Sequence, residues 1–132
     1  MSTQAAYNAY KQNSVTTASP GDLTLMLYNG CLKFLNQSKK AIEEKNIQEK
    51  NINIQKSQAI ISELMSTLNM EIAVSQQMFS LYEYMKTRLT EANIKNDLSI
   101  IHEVEGLIVE FRDTWKEVIR INRQQQFSGN QI

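Results

Sequence analysis

Proline and glycine are scarce in this chain. One proline and four glycines stand among 132 residues, against roughly 12% in globular chains generally, so tight turns are few and the elements between them long. That scarcity excludes a β-sandwich, a small barrel and a glycine-rich phosphate cradle. A single cysteine, Cys31, cannot close an internal disulfide. A single histidine, His102, cannot supply the paired imidazoles of a zinc site or of a Glu-x-x-His di-metal bundle, so no metal or cofactor is expected. Neither sign of charge prevails: 14 Lys and Arg balance 14 Asp and Glu, and no net field draws the chain to nucleic acid or anionic lipid. There is no run of 18 apolar residues, and the opening MSTQAAYNAYKQNS lacks the basic and apolar regions of a signal peptide. A cytoplasmic protein that does not insert into membranes is expected.

What the chain does contain is helical periodicity. Residues 1–18 read as a polar arm with one short helical turn, where Tyr7 and Tyr10 stand three apart among Ala5, Ala6 and Ala9. Ser19, Pro20, Gly21 and Asp22 then give a dense start signal: a capping serine, proline at the first helical position and an acidic residue three after the cap. Leu23, Met26, Leu27, Cys31, Phe34, Leu35 and Ile42 carry a first helix to about Lys45. A second spans about Asn46 to Asn69, with Ile47, Ile54, Ile61 and Leu68 repeating every seven residues and Leu64 between them. The period breaks over residues 69–74, and Ser75 is the expected cap of a third helix bearing Met78, Tyr82, Met85, Leu89 and Ala92. Asn93 to Asp97 closes it. Asp97 caps a fourth helix, in which Ile101, Val104, Ile108, Phe111, Trp115, Val118 and Asn122 keep the three-four spacing. The pattern predicts an all-α fold: an antiparallel four-helix bundle over 19–122, a short N-terminal helical arm over 1–18, and a flexible tail over 123–132.

Chemistry is hard to find. No G-x-S-x-G, Walker or dinucleotide fingerprint is present. Cys31 lies among Leu27, Phe34 and Leu35 at helical spacing and reads as a core residue, and His102, beside Glu103 and Glu105, belongs on a solvated face. The acidic residues fall mainly as single charges on outward positions, and catalysis is not expected.

Surplus apolar residues are the stronger signal. Leu25, Tyr28 and Leu32 on the first helix, Ile52 and Ile60 on the second, Leu81 and Tyr84 on the third, and Ile100, Leu107 and Ile121 on the fourth lie off the main stripes. As a set they point to grooves that accept another amphipathic segment, and Leu25, Tyr28, Leu32, Ile52, Ile60, Leu107 and Ile121 are the groove candidates. Tyr7 and Tyr10 could lay both rings in such a groove as a removable lid, or complete the core permanently. Ser19 and Pro20 set the direction in which the arm leaves, and an arm on a short tether could also cross to a second copy, giving a homodimer by arm exchange. A structural bundle that uses its surplus apolar residues for permanent self-association is the alternative.

Several blocks together resemble a known family. Tyr7 and Tyr10, TASPGDLTLMLYNGCLKF from Thr17 to Phe34, LYEYMKTRLTEANIKND from Leu81 to Asp97, and EVEGLIVEFRDTWK from Glu103 to Lys116 are similar, in order and spacing, to the flagellar secretion chaperone family FliS. The resemblance implies a cytoplasmic export chaperone that binds the disordered C-terminal segment of flagellin in apolar grooves and prevents its premature polymerisation. It also implies that the N-terminal element, with Tyr7 and Tyr10 at the lid positions, covers part of that surface until the client arrives. A flagellar export gate component and a flagellin-regulating protein are further partners that it implies.

Overall fold

The computed structural model describes the backbone of residues 20–130 and the side chains of residues 21–125, so the arm, with Tyr7, Tyr10 and Ser19, lies outside the described residues. Four helices follow one another: α1 (Pro20–Glu43), α2 (Ile47–Ser66), α3 (Ala73–Lys95) and α4 (Leu98–Asn130). Pro20 opens α1, as expected for a residue whose missing N–H costs nothing at that position. Each helix packs on its neighbour in sequence, and α1 against α4 closes the ring. Cross-links fix the antiparallel sense. Trp115 Nε1 donates to the Gly21 carbonyl at 2.9 Å and Lys39 Nζ to Glu105 at 2.9 Å, so α4 runs against α1. Gln58 Nε2 reaches the Lys86 carbonyl at 3.0 Å, while Lys50 reaches the Asn93 carbonyl, so α3 runs against α2.

The core is the set of stripes read from the sequence, wider than expected. Leu27, Cys31, Leu35, Ile54, Ile61, Leu64, Tyr82, Met85, Leu89, Ala92, Ile101, Val104 and Ile108 are all buried. So are Tyr28, Ile60 and Ile100, which lie off the main stripes of the sequence. Each helix in a closed ring touches two neighbours, and its buried arc is accordingly broader than one seam. Tyr28 also finds a polar partner inside, since its hydroxyl and that of Tyr82 lie 2.7 Å apart. The Tyr82 ring meets Phe111 edge-on at 5.4 Å. Cys31 sits at 0% exposure, and burial pushes its thiol up to about 12.

Three expectations are corrected at the helix ends. Ile47 is 53% exposed, because the first turn of α2 lies beyond the core, and the innermost position at that end belongs to Lys50. Its ammonium donates to the Asn93 carbonyl at 2.8 Å and to the side-chain oxygen of Asn96, compensating the carbonyl end of α3. Ser75 does not cap α3. The helix begins at Ala73 with Ile72 as an N-cap that offers no side-chain bond, Ser75 is buried in its first turn, and the preceding turn is held by Asn69 Oδ1 accepting from Glu71 N and Gln76 Nε2 donating to the Met70 carbonyl. The fourth helix continues past Asn122 to Asn130: Arg and Gln after Asn122 are strong helix formers and sustain it without an apolar stripe.

The reversals at the opposite end use residues in the left-handed region. Asn96 (φ 53°) ends α3, with its N–H bonded to the Ala92 carbonyl, and Asp97 caps α4 as expected by accepting from Ser99 N at 2.9 Å. Lys45 (φ 57°) ends α1, and Asn46 caps α2 by accepting from Glu49 N at 3.1 Å. Asn tolerates this conformation; lysine pays for its Cβ. Lys45→Gly is expected to stabilise the protein by about 1 kcal/mol and raise Tm by about 3–6 °C in thermal unfolding followed by circular dichroism. A fall in Tm would show that the Lys45 side chain contributes more to the turn than its backbone costs.

Candidate interaction surface

Helix α3 has two characters. Its inner stripe is buried, yet Val74, Leu81 and Tyr84, spaced seven and three apart and so on one side of the helix, are 56%, 39% and 43% exposed. Met70 and Ile72 in the connection ahead of it are also exposed, as is Ile94 near its end. Eight large hydrophobic residues stand exposed among the described residues, and six of them belong to this helix and its approach. Apolar surface concentrated in one region is the usual mark of a partner surface. On the neighbouring helix, Gly106 leaves the surface bare: a Cβ added there would meet nothing within 4 Å.

Charged groups bound this apolar stretch at its lower end. The Tyr84 hydroxyl donates to Glu103 of α4, Arg88 Nε donates to the other oxygen of the same carboxylate at 2.9 Å, and Arg88 also pairs with Glu91, which takes Lys95 at 2.8 Å. The hydrogen bond to Glu103 raises the Tyr84 phenol above its ordinary value. Glu103 is correspondingly lowered, first by Tyr84 and then by Arg88, and Glu91 is lowered by Lys95 and Arg88. The network stitches α3 to α4 beside the apolar surface and holds the Tyr84 ring in place.

The groove candidates read from the sequence separate into three kinds. Tyr28 and Ile60 are core residues and line no groove. Leu32 and Leu107 are half-buried and packed against the core, and Ile52 is half-buried outside it. Leu25 lines a shallow cleft of about 330 Å³ between α1 and the far part of α4, with Ile119, Lys116, Arg120 and Arg123, and Ile121 nearby is 39% exposed. They do not converge on one site. Leu81 and Tyr84 were legible as off-stripe residues, whereas Met70, Ile72 and Val74 fell in a stretch where the period breaks. The signal there was apolar content without a helix to assign it to.

Other functional groups stand apart from this surface. His102 is on the outer side of α4, its side chain 56% exposed, with Nδ1 3.7 Å from Glu105. The Cys31 Sγ donates to the Ser57 carbonyl at 3.9 Å. Among the described residues, no three of His, Cys, Asp and Glu converge as metal ligands, and no helix is long and apolar enough to cross a membrane.

The sequence profile described as "Flagellar protein FliS" matches residues 3–122. The chain belongs to the FliS family. It is 50% identical over 132 residues to the flagellar secretion chaperone FliS of Bacillus subtilis, covering 100% of this chain and 99% of that one. The flagellar secretion chaperone FliS of Escherichia coli is 35% identical over 118 residues, covering 87% of each chain. A crystal structure of a bacterial flagellar chaperone superposes with a TM-score of 0.71 at 18% identity, over 89% of this chain and 97% of that one, and bears out the fold. The FliS match includes the positions of Tyr7 and Tyr10 and runs through the helices to residue 122.

Because Glu103 and Glu91 are lowered on folding, Glu103 stabilises the α3–α4 seam and Glu91 the end of α3 fully above the ordinary carboxylate value, and these contributions are lost as pH falls through their lowered values. Thermal unfolding between about pH 7 and pH 3 should therefore show a Tm that falls in acid. Glu103→Gln should lower Tm at neutral pH and flatten part of the acid slope. An unchanged slope would assign the acid sensitivity to other carboxylates.

Proposed function

We propose that this FliS-family protein is a flagellar export chaperone that holds flagellin through its disordered C-terminal segment, on the apolar outer face of α3 and its approach, in the cytoplasm and without catalysis. The observation that carries the reading is the concentration of exposed apolar side chains on that one region, in a chain half identical to a named flagellar secretion chaperone. An amphipathic client segment that would otherwise pair with further copies of flagellin is withdrawn from solution when its apolar face is buried. Ordering the segment costs roughly 2 to 5 kcal/mol of the gross interaction, which keeps the complex releasable at the export machinery. An export gate component and a flagellin-regulating protein are further partners under this reading.

The N-terminal arm is assigned the role of a lid. Tyr7 and Tyr10 supply two rings on an otherwise polar segment, and the tether is short because α1 begins at Pro20. A lid closed 90% of the time would lower apparent client affinity about tenfold. The same arm offers a route to a dimer by exchange between copies.

Calorimetric titration with a peptide of about the last 40 residues of flagellin from the same organism should give one-to-one binding with a negative heat-capacity change. Leu81→Glu with Tyr84→Ala should weaken it at least about tenfold while leaving the helical spectrum intact. No heat from a folded sample at several temperatures would favour the self-associating bundle instead.

Tyr10→Ala is expected to tighten client binding with Tm unchanged. A large fall in Tm would make the arm a permanent part of the core.

A further inference from the structure

Charge is balanced over the whole chain but not over its surface. Between Asp22 and Glu43, α1 contains no acidic residue, and between Glu49 and Glu63 neither does α2; the same stretches hold Lys33, Lys39, Lys40, Lys50 and Lys56. Two of these lysines converge. Lys33 Nζ of α1 lies 5.6 Å and Lys56 Nζ of α2 lies 5.1 Å from the centre of the same Phe34 ring.

Stacking over a ring face offsets part of an ammonium's charge but does not neutralise it, and two like charges drawn to one ring repel each other. Neither lysine forms an ion pair among the described residues, although Lys39, Arg88, Lys95, Arg112, Arg120 and Arg123 all do. The ring itself is half-buried and packed on the core, so it is a fixed seat. One turn before Lys56, Ile52 is half-buried on the same side of α2 and takes no part in the core. Phe34 and Ile52 thus present apolar surface beside Lys33 and Lys56, two cations without an ion pair among the described residues.

We infer that the α1–α2 face around Lys33, Phe34, Ile52 and Lys56 is a second docking surface, for an acidic protein segment carrying an apolar side chain between carboxylates. Spaced cations around an apolar centre match that chemistry better than a phosphate chain, which would leave Phe34 and Ile52 without a counterpart. The surface lies on a different pair of helices from the α3 face, so both can be occupied at once. The inference does not depend on what the α3 face binds.

The test uses the full-length protein and a synthetic helical peptide of about 14 residues with glutamates three and four positions either side of a leucine. Its controls are the same peptide with glutamine for glutamate, an oligo-dT of equal charge, and phosphatidylglycerol vesicles. The glutamate peptide should bind, weaken between about 20 and 300 mM salt, and shift the NMR signals of the Phe34 ring and the Ile52 methyl groups. Lys33→Glu with Lys56→Glu should lose at least about tenfold in affinity. Lys33→Gln with Lys56→Gln should lose affinity too, with less risk to the fold. Equal binding of the glutamine peptide, unchanged affinity in the Gln variant, shifts confined to the α3 face, or equal or tighter binding of oligo-dT or vesicles would each overturn the inference.

Discussion

Every reversal of direction in the described chain is made without glycine or proline. The connections 44–46, 67–72 and 96–97 contain neither, and the one proline and the described glycines lie inside helices. The turns must therefore be built from side-chain hydrogen bonds and from non-glycine residues in the left-handed region, Lys45 and Asn96. Much of the rest follows from this constraint. Asn46, Asn69, Asn96 and Asp97 are committed to turn geometry, and Lys50 is drawn inside to serve the carbonyls that the α3–α4 corner leaves over. The cost of burying its ammonium is offset by acceptors at a helix C-terminus, where positive charge is favoured.

The division of apolar surface follows from closing the ring. With four helices each touching two neighbours, a broad arc of every helix is consumed by the core, and Tyr28, Ile60 and Ile100 are taken in with the narrower stripes. Helix α3 is the exception, for it is apolar on its outer side as well. An apolar face that the fold does not need is a standing cost in solubility, and a partner that covers it gives a reason for its presence. The Tyr84–Glu103–Arg88 network at its margin supplies rigid polar edges to an otherwise greasy surface.

Helix number, order and inner stripes were legible because the apolar spacing of Tyr82, Met85, Leu89 and Ala92, or of Ile101, Val104 and Ile108, admits no other period. The Asp97 cap was legible for the same local reason. Periodicity could not say how wide each stripe would be, since that depends on how many neighbours a helix has. It misplaced Ile47, whose heptad position is correct but whose turn lies past the end of the core, and it had no means to bury Lys50. Nor could it find the start of α3, where Ile72 replaces a capping side chain and the turn is held by Asn69 and Gln76 instead. The apolar surface suffered most. Tyr28 and Ile60 read as groove residues in the sequence because burial in a closed ring is a property of the assembly, while Met70, Ile72 and Val74 stand in a stretch without helical period.

The chemistry of Cys31 is tied to the opening of the fold. With the thiol pushed up to about 12 by burial, about one molecule in 100,000 holds the reactive thiolate at pH 7, and the residue has no exposed surface. Chemical modification of the sulfur must then wait for the bundle to open. In the presence of an oxidant or a thiol reagent, the modified fraction of this single sulfur, read by mass, then counts how often the bundle has opened.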